Sequence, residues 1–322
     1  MSNASEPISV VADVGGTNTR VALTSAGTLR ASSVKRYKNM HYSDLGAVLR
    51  TFLSESGQPD CASACVAVAG PVANGAAELT NLDWQITHET LTHATGAGKV
   101  AILNDLQAQG HGIAHIQAEN LRPIVKAKDP QNGSEKIVIG VGTGFNIAAV
   151  YQSEAGQLVT ASESGHISLP VQNETDLRLA HFVAKTHGFA DVEEVLSGRG
   201  VENTYAWLQQ ESGHEGRKSA ADIFSSFESG TDPVSIGTAQ VFARMLGIIA
   251  GDLALIHLPF DGIYFSGGVA RAFGPHLIEL GFADAFRQKG RFADFMDSFS
   301  IHIIEDDFAA LSGCAGHLDT LG

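Results

Sequence analysis

Residues 8–24 read ISVVADVGGTNTRVALT. The stretch begins with the short apolar run Ile8 to Ala12, passes through Asp13-Val14-Gly15-Gly16-Thr17-Asn18, and resumes as a second run from Arg20 to Thr24. Apolar, β-branched runs that meet at a glycine-containing segment are typical of strands joined by a turn. The stretch therefore predicts a strand, a glycine turn and a second strand.

A similar pattern starts at Lys136. The apolar run Ile137 to Val141 leads into the turn Gly142-Thr143-Gly144, and a second run extends from Ile147 to Tyr151. Further strands are predicted at 62–69, 100–103, 262–265 and 301–304. Helices are predicted at 43–55 with Ser43 as the N-cap, at 88–95, after Asp105, over most of 173–258, after Gly268 and at 308–318. Strands that alternate with helices in this way predict an α/β protein.

Length and charge narrow the possible functions. The chain has 322 residues, which suits two domains at roughly 150 residues each. Its formal net charge is −14, from 21 Lys+Arg against 35 Asp+Glu, which disfavours nucleic acid because phosphate neutralisation needs a basic surface. We find no leader pattern and no apolar run long enough for a membrane span, so we expect a cytoplasmic protein with no membrane partner. The cysteines Cys61, Cys65 and Cys314 are expected in the core.

Three glycine turns, at 13–18, 140–144 and 266–268, each follow a predicted strand. Glycine lets backbone N–H groups approach an anion, and Thr17 and Thr143 add hydroxyl donors. A single turn of this kind is equally compatible with an ordinary hairpin, whereas three together predict phosphate binding. No Gly-Lys-Ser/Thr follows any of them, and Phe145 stands where the dinucleotide fingerprint requires glycine, so the common nucleotide motifs are excluded.

Asn104 and Asp105 lie between a predicted strand and a predicted helix, where α/β proteins place side chains that face ligands. A carboxylate there can accept the proton of a substrate hydroxyl, and the alternative is that one of the two residues only caps the helix. Further polar residues suit the binding of several hydroxyl groups, provided that the fold brings them together; they are Asn81, Glu163, His166 and Glu193.

In their order along the chain, these motifs resemble bacterial glucokinases. The segments that carry the resemblance are Asp13-Val14-Gly15-Gly16-Thr17-Asn18, Asn104-Asp105, Gly142-Thr143-Gly144, Glu163-Ser164-Gly165-His166, Glu193-Glu194-Val195-Leu196-Ser197-Gly198, Ser266-Gly267-Gly268-Val269 and Gly290-Arg291-Phe292. The resemblance implies two ribonuclease H-like (actin-like ATPase) α/β domains, with mixed sheets that flank a central cleft. We expect a small domain of residues 1–112, completed by the C-terminal helix 306–322, and a large domain of residues 113–305.

The resemblance also implies a role for each motif in ATP-dependent phosphorylation of a hexose, with glucose as the leading candidate. Asp105 would be the general base on the sugar 6-hydroxyl, and the other hydroxyls would be held by Asn81, Asn104, Glu163, His166 and Glu193. The phosphates of ATP would contact Gly15, Gly16, Thr17, Asn18, Gly142, Thr143 and Gly144, and the adenosine would lie against Gly267 and Gly268. Asp13 would bind Mg²⁺ through water, and a homodimer is implied.

Two departures from the glucokinase pattern keep alternatives open. Phe145-Asn146 stands where the family usually has Leu-Gly, and Ser162 and Ser164 stand where it favours glycines around Glu163. A bulkier second phosphate turn motivates the hypothesis of a sugar sensor with weak catalysis, and an altered sugar turn motivates a kinase for mannose or an N-acetylated amino sugar. The chain has no cysteine-rich zinc site like that of the related ROK kinases, which favours the zinc-free glucokinase branch.

Overall fold

The computed structural model describes residues 7–79, 82–154 and 156–321. The chain divides into two compact units: unit 1 comprises Met1–Gln117, Ser153–Ala161 and Asp306–Gly322, and unit 2 comprises Ala118–Gln152 and Ser162–Glu305. The strands are β1 (Ile8–Val14), β2 (Asn18–Ser25), β3 (Thr28–Leu29), β4 (Lys35–Lys38), β5 (Cys61–Val68), β6 (Val72–Ala73), β7 (Ala76–Glu78), β8 (Gln85–Thr87), β9 (Lys99–Asn104), β10 (Leu121–Val125), β11 (Lys136–Val141), β12 (Phe145–Ser153), β13 (Gly156–Val159), β14 (Ile263–Ser266) and β15 (Ile301–Ile304). The α-helices are α1 (Leu45–Glu55), α2 (His88–Thr95), α3 (Asp105–Gly112), α4 (Glu174–His187), α5 (Gly198–Glu211), α6 (Ala220–Glu228), α7 (Pro233–His257), α8 (Gly268–Phe273), α9 (Phe282–Arg287) and α10 (Ala309–Thr320).

The main sheet of unit 1 has the order β3-β2-β1-β5-β9, and β4 also pairs with β2. β1 and β2 are antiparallel, as the opening stretch predicts, while β1, β5 and β9 are parallel. Alternate side chains of β1 enter two cores, because Val10 packs with Phe52 of α1 whereas Val11 packs with Leu311 and Cys314 of α10. All three cysteines are buried, which confirms their prediction as core residues.

Unit 2 repeats this arrangement around a sheet that contains the order β10-β15-β14-β11-β12. β11 and β12 are antiparallel across the turn 142–144, and β11, β14 and β15 are parallel. The repeated strand, turn and strand expected from the sequence is therefore confirmed in both units.

Helix α10 packs on α3 of unit 1 and has the most extensive contacts with it. A Cβ on Gly313 would lie 1.6 Å from the carbonyl oxygen of Ala108, so only glycine permits this approach. The segment 153–161, expected in the large domain, also groups with unit 1, because Gln107 of α3 donates a hydrogen bond to the carbonyl oxygen of Val159 at 3.1 Å.

The longest helix in the predicted helical region 173–258 is the apolar helix α7. By length and composition it could cross a membrane, so the expectation that the chain has no such run was wrong. Most of the helix is nevertheless buried within unit 2, where Gly247 and Gly251 lie against α9. A Cβ on Gly247 would come within 2.5 Å of the carbonyl oxygen of Phe282, which identifies α7 as a closely packed core helix.

One helix cap differs from its prediction. The N-cap of α1 is Asp44, whose carboxylate accepts the N–H of Ala47 at 2.7 Å. Ser43, expected in this role, lies one residue earlier and donates its hydroxyl to Asp44 at 2.8 Å. Both residue types are good caps, and the carboxylate has the longer reach toward the first turn.

The interface of α3 and α10 predicts an acid-sensitive fold. His111 is 7% exposed, and burial, reinforced by the nearby His317, lowers its pKa to about 4. Below about pH 6.5, the ordinary pKa of histidine, His111 is protonated in the unfolded chain but stays neutral in the folded protein. The free energy of unfolding therefore falls as the pH drops from about 6.5 toward 4. Between pH 7 and about 4.5 this loss is on the order of 2 kcal/mol. Urea unfolding should show a smaller loss for His111→Gln than for the wild-type protein.

The matched control is His41→Gln, which changes an exposed histidine of the same unit. It should keep the wild-type dependence on pH. Equal losses of unfolding free energy in wild type and His111→Gln would contradict the assignment of the acid sensitivity to His111.

Candidate active site

The glycine turn after β1 is held by hydrogen bonds from Asn39, which is 1% exposed. Its Nδ2 donates to the carbonyl oxygen of Gly15 at 2.7 Å, and its backbone N–H donates to that of Thr17 at 2.9 Å. The N–H of Gly15 donates to the carbonyl oxygen of Asn18 at 3.0 Å, which closes the turn. Asn39 is not identified from the sequence, because a single asparagine 21 residues after Asn18 has no motif around it.

Most glycines of the three turns have backbone angles that other residues can adopt. The glycines outside the left-handed region are Gly15, Gly16, Gly140, Gly142, Gly144 and Gly268, whereas Gly267 has φ 97°. A Cβ on Gly142 would have its nearest neighbour at 3.9 Å, and a Cβ on Gly268 would meet nothing within 4 Å. The fold itself does not require glycine at these two positions, which leaves room beside them for a ligand.

Asp13 lies opposite Arg20 in the β1–β2 pairing, and its Oδ2 is 3.6 Å from an Nη of Arg20. Burial raises the pKa of the Asp13 carboxyl, and the positive charge of Arg20 partly offsets this. The same guanidinium donates to the carbonyl oxygen of Asp307 at 3.1 Å, which holds it beside Asp13.

The structure shows which of Asn104 and Asp105 caps the helix. Asn104 caps α3: its Oδ1 accepts the N–H of Leu106 at 2.9 Å, and Gln107 accepts the N–H of Asn104 at 3.2 Å. Asp105 is the first residue of α3 and is half-buried, and its Oδ1 also lies 2.9 Å from the N–H of Leu106. The positive end of the helix dipole favours an anionic carboxylate at this position.

The predicted residues of unit 1 come together at one edge of its sheet. The N–H of Ala69 donates to the carbonyl oxygen of Val14 at 3.0 Å, which joins the ends of β1 and β5. Asn104 Nδ2 donates to the carbonyl oxygen of Gly70 at 3.0 Å, which joins the ends of β5 and β9. Asn81 lies outside the described residues.

In unit 2, Glu163 and His166 flank a short turn and are both exposed. His166 Nδ1 is 3.1 Å from Asp191 Oδ2, and this hydrogen bond raises the pKa of His166 above its ordinary value. Partial burial opposes the shift, and the negative charges of Glu193, Asp191 and Glu163 add to it. Within the described part of the chain, the Glu163 carboxylate and His166 Nε2 make no hydrogen bond, so both can bind a ligand.

Glu193 connects this turn to the second glycine turn. Its Oε2 accepts the N–H of Phe145 at 2.9 Å, and its Oε1 lies 3.1 Å from Nη2 of Arg199. Arg199 also forms a two-point ion pair with the buried Glu194, at 2.6 and 3.2 Å. Arg199 is not identified from the sequence, although it directly follows the Ser197-Gly198 pair of a motif segment.

The glycine turns of unit 2 are neighbours as well. Gly198 donates its N–H to the carbonyl oxygen of Gly142 at 2.8 Å, and a Cβ on Gly267 would lie 2.4 Å from the carbonyl oxygen of Val141. Unit 2 thus brings the residues predicted to bind phosphates close to those predicted to bind sugar hydroxyls. Among the described residues, no group of three or more His, Cys, Asp and Glu side chains could hold a metal ion.

Comparisons with known proteins cover almost the whole chain. A family model described as Glucokinase matches residues 10–321. A glucokinase of Nostoc punctiforme is 30% identical over 329 residues, covering 94% of this chain and 96% of that protein. A glucokinase of Neisseria meningitidis is 28% identical over 312 residues, covering 96% of this chain and 94% of that protein.

The fold has solved counterparts. The crystal structure of a glucokinase from an Antarctic psychrotroph superposes with a TM-score of 0.85 at 29% identity, covering 97% of this chain and 98% of that one. A ROK hexokinase from Thermus thermophilus, 18% identical over 96% of each chain, shares the fold with a TM-score of 0.67. The expected actin-like α/β fold with mixed sheets is therefore confirmed.

The pairing of His166 with Asp191 predicts a measurable titration. Because the hydrogen bond from His166 to the Asp191 carboxylate is the largest cause of the raised pKa, Asp191→Asn should lower the pKa of His166 toward its ordinary value of about 6.5. An NMR titration of the imidazole resonances measures this shift directly. An unchanged titration of His166 in the variant would contradict the pairing, and the resonances of the exposed His41 provide the internal control.

Proposed function

The chain belongs to the glucokinase family, and from that premise we propose that it transfers the γ-phosphoryl group of ATP to the 6-hydroxyl of a hexose, with glucose as the leading candidate. The observation that carries the proposal is Asp105. It is a half-buried carboxylate placed at the first position of α3 by the Asn104 cap, directly after the parallel strand β9. A carboxylate held at a helix N-terminus after a parallel strand suits a general base.

The proton transfer follows from this placement. Asp105 accepts the proton of the 6-hydroxyl as that oxygen attacks the γ-phosphorus, so the nucleophile loses its only mobile proton during the transfer. Asn104 holds the end of β9 against Gly70 and thereby fixes the position of the base. Positioning and charge neutralisation dominate phosphoryl transfer, and a rigid strand-to-helix junction supplies the positioning.

The other hydroxyls of the sugar are assigned to Glu163, His166 and Glu193, with Asn104 and Asn81 added from the family resemblance. The support from the structure is that Glu163 and His166 present polar atoms that the described part of the protein does not engage. Both Glu193 oxygens already accept one hydrogen bond, and each retains a lone pair for a sugar hydroxyl.

The nucleotide is assigned to the glycine turns, with phosphates at 15–18 and 142–144 and adenosine at Gly267 and Gly268. The open space at Gly142 and Gly268 supports close approach of a ligand to the backbone. Mg²⁺ fits Asp13, because that ion is commonly bound by one or two carboxylates together with water and substrate phosphates. When bound, it would neutralise charge that develops on the transferred phosphoryl group.

The sensor hypothesis was motivated by a bulkier second glycine turn, which the structure does not show. Phe145 does not enlarge the second glycine turn, because its side chain is 3% exposed and lies in the core of unit 2. The Asn146 side chain reaches the turn that carries Glu163, away from the glycine turn. No feature of the second glycine turn therefore favours binding without catalysis.

Three further expectations are part of this proposal. We assign the protein to the cytoplasm, without nucleic acid or membrane as partners, on the basis of its net charge of −14 and the burial of α7. The homodimer is taken from the family resemblance alone.

The role of Asp105 predicts a specific loss of catalysis. Asp105→Asn keeps the shape of the side chain and an oxygen for the N–H of Leu106, but it cannot accept the sugar proton. We expect kcat to fall by about 10²- to 10⁴-fold, while calorimetry should show hexose affinity within about threefold of wild type. The exposed Asp60→Asn is the matched control and should keep wild-type kcat. Turnover near the wild-type rate in Asp105→Asn would contradict the mechanism.

Substrate class is tested with a panel of hexoses. Purified protein is supplied with Mg-ATP and glucose, mannose or N-acetylglucosamine, and ADP release is coupled to a spectrophotometric signal. We expect the highest kcat/KM with glucose and little ADP release without sugar. A rise in melting temperature with a hexose, together with no ADP release from any hexose of the panel, would identify a sensor and refute the kinase proposal.

A further inference from the structure

Asn146, on β12, holds the turn that carries Glu163 and His166. Its Oδ1 accepts the backbone N–H of Ser164 at 3.0 Å and lies 2.7 Å from the hydroxyl of Ser162. Its Nδ2 donates to the carbonyl oxygen of Ser162. One side chain therefore binds the residue before Glu163 and the residue after it.

The two serines extend this network. Their hydroxyl oxygens lie 2.8 Å apart, and the Ser162 hydroxyl also lies 3.0 Å from the carbonyl oxygen of Ile147. Asn146, Ser162 and Ser164 are three of the four residues that depart from the glucokinase pattern, the fourth being Phe145. The structure shows these three as partners in one hydrogen-bonded network. The departures are thus coupled to each other.

The opposite side of the turn is also fixed. The N–H of Glu193 donates to the carbonyl oxygen of Gly165 at 2.9 Å. A Cβ on Gly165 would lie 2.3 Å from the carbonyl oxygen of Phe145, so the turn is pressed against the start of β12. The backbone of Glu163 therefore cannot shift away from β12 without breaking the Asn146 hydrogen bonds.

The side chain of Glu163 contrasts with this fixed backbone. It is exposed, and its carboxylate makes no hydrogen bond within the described ranges 7–79, 82–154 and 156–321. A rigid backbone under an unengaged polar group is the arrangement that preorganised binding sites use, because the ligand then need not order the loop.

We infer that Asn146 is a positioning residue that sets hexose selectivity. It does so by fixing the turn from which Glu163 and His166 bind the sugar hydroxyls. The inference rests on the proposed function. Loosening the turn weakens binding of the preferred hexose more than binding of its epimers, since a mobile carboxylate no longer discriminates between hydroxyl positions. ATP is assigned to the glycine turns and not to this turn, so the KM for ATP is unaffected.

The test compares wild type with Asn146→Gly and Ser162→Ala, using steady-state kinetics with the preferred hexose and its epimers. For Asn146→Gly we expect the KM for the preferred hexose to rise about tenfold and the KM for ATP to stay within about twofold. The ratio of kcat/KM between the preferred hexose and an epimer should fall by about threefold or more. Ser162→Ala removes only part of the network, so it should give the same changes at smaller size, and it serves as the test if Asn146→Gly does not fold.

The control is Asn132→Gly, the same substitution in an exposed loop of unit 2, which should keep wild-type values. An unchanged hexose KM and selectivity ratio in the network variants would overturn the inference, and so would equal rises of both KM values. Wild-type protein that phosphorylates no hexose would instead overturn the proposed function.

A second measurement does not depend on turnover. Hydrogen exchange followed by mass spectrometry should show faster exchange of the 162–166 peptide in Asn146→Gly, because the Ser164 N–H loses its acceptor. Unchanged exchange in this peptide would overturn the positioning role, whatever the catalytic activity.

Discussion

The parallel pairing of β1, β5 and β9 is the constraint on which the unit 1 residues depend. Parallel strands bring their carboxyl ends to one edge of the sheet, so Asp13, the first glycine turn and Asp105 are gathered there although they lie about 90 positions apart. Two bonds beyond the regular ladder extend this edge, from Ala69 to Val14 and from Asn104 to Gly70. In unit 2 the parallel pairing of β11 with β14 does the same for the glycine turns.

Two of the glycine turns contain no positively charged side chain, because neither 13–18 nor 140–146 contains Lys or Arg. Two arginines near these turns are already paired with carboxylates, Arg20 with Asp13 and Arg199 with Glu193 and Glu194. On the proposed assignment, backbone N–H groups, threonine hydroxyls and a metal ion hold the triphosphate. Glycine at Gly142 and Gly268, where the protein's own packing would accept a side chain, accords with this. The net charge of −14 is compatible with a small nucleotide that arrives with its metal.

The sequence predicts the strand, turn and strand of both units because apolar periodicity and glycine are local properties, and α2 at His88–Thr95 has the predicted bounds. It does not identify Asn39 or Asp191, whose partners are distant in the chain and are set by tertiary packing. It also does not identify Arg199, whose partners Glu193 and Glu194 are near in the chain but follow no recognisable motif spacing. It also misjudges Phe145, because whether an aromatic ring points into a turn or into a core depends on strand register, and register is not visible in a single residue. The position of Asp105 between a strand and a helix already suggests a proton acceptor, and the family resemblance assigns the specific roles of Asp105, Glu163 and His166. Their hydrogen-bond partners are set by tertiary packing and do not follow from the sequence.

The most direct test of the account is the identity of the product. Purified protein incubated with Mg-ATP and glucose should give a phosphomonoester whose ³¹P NMR resonance couples to the C6 methylene protons, and 6-deoxyglucose should give no ester. That result follows if Asp105 takes the proton of the 6-hydroxyl. A phosphate ester at another carbon, or ester formation from 6-deoxyglucose, would contradict the assignment of the reacting hydroxyl and of its base.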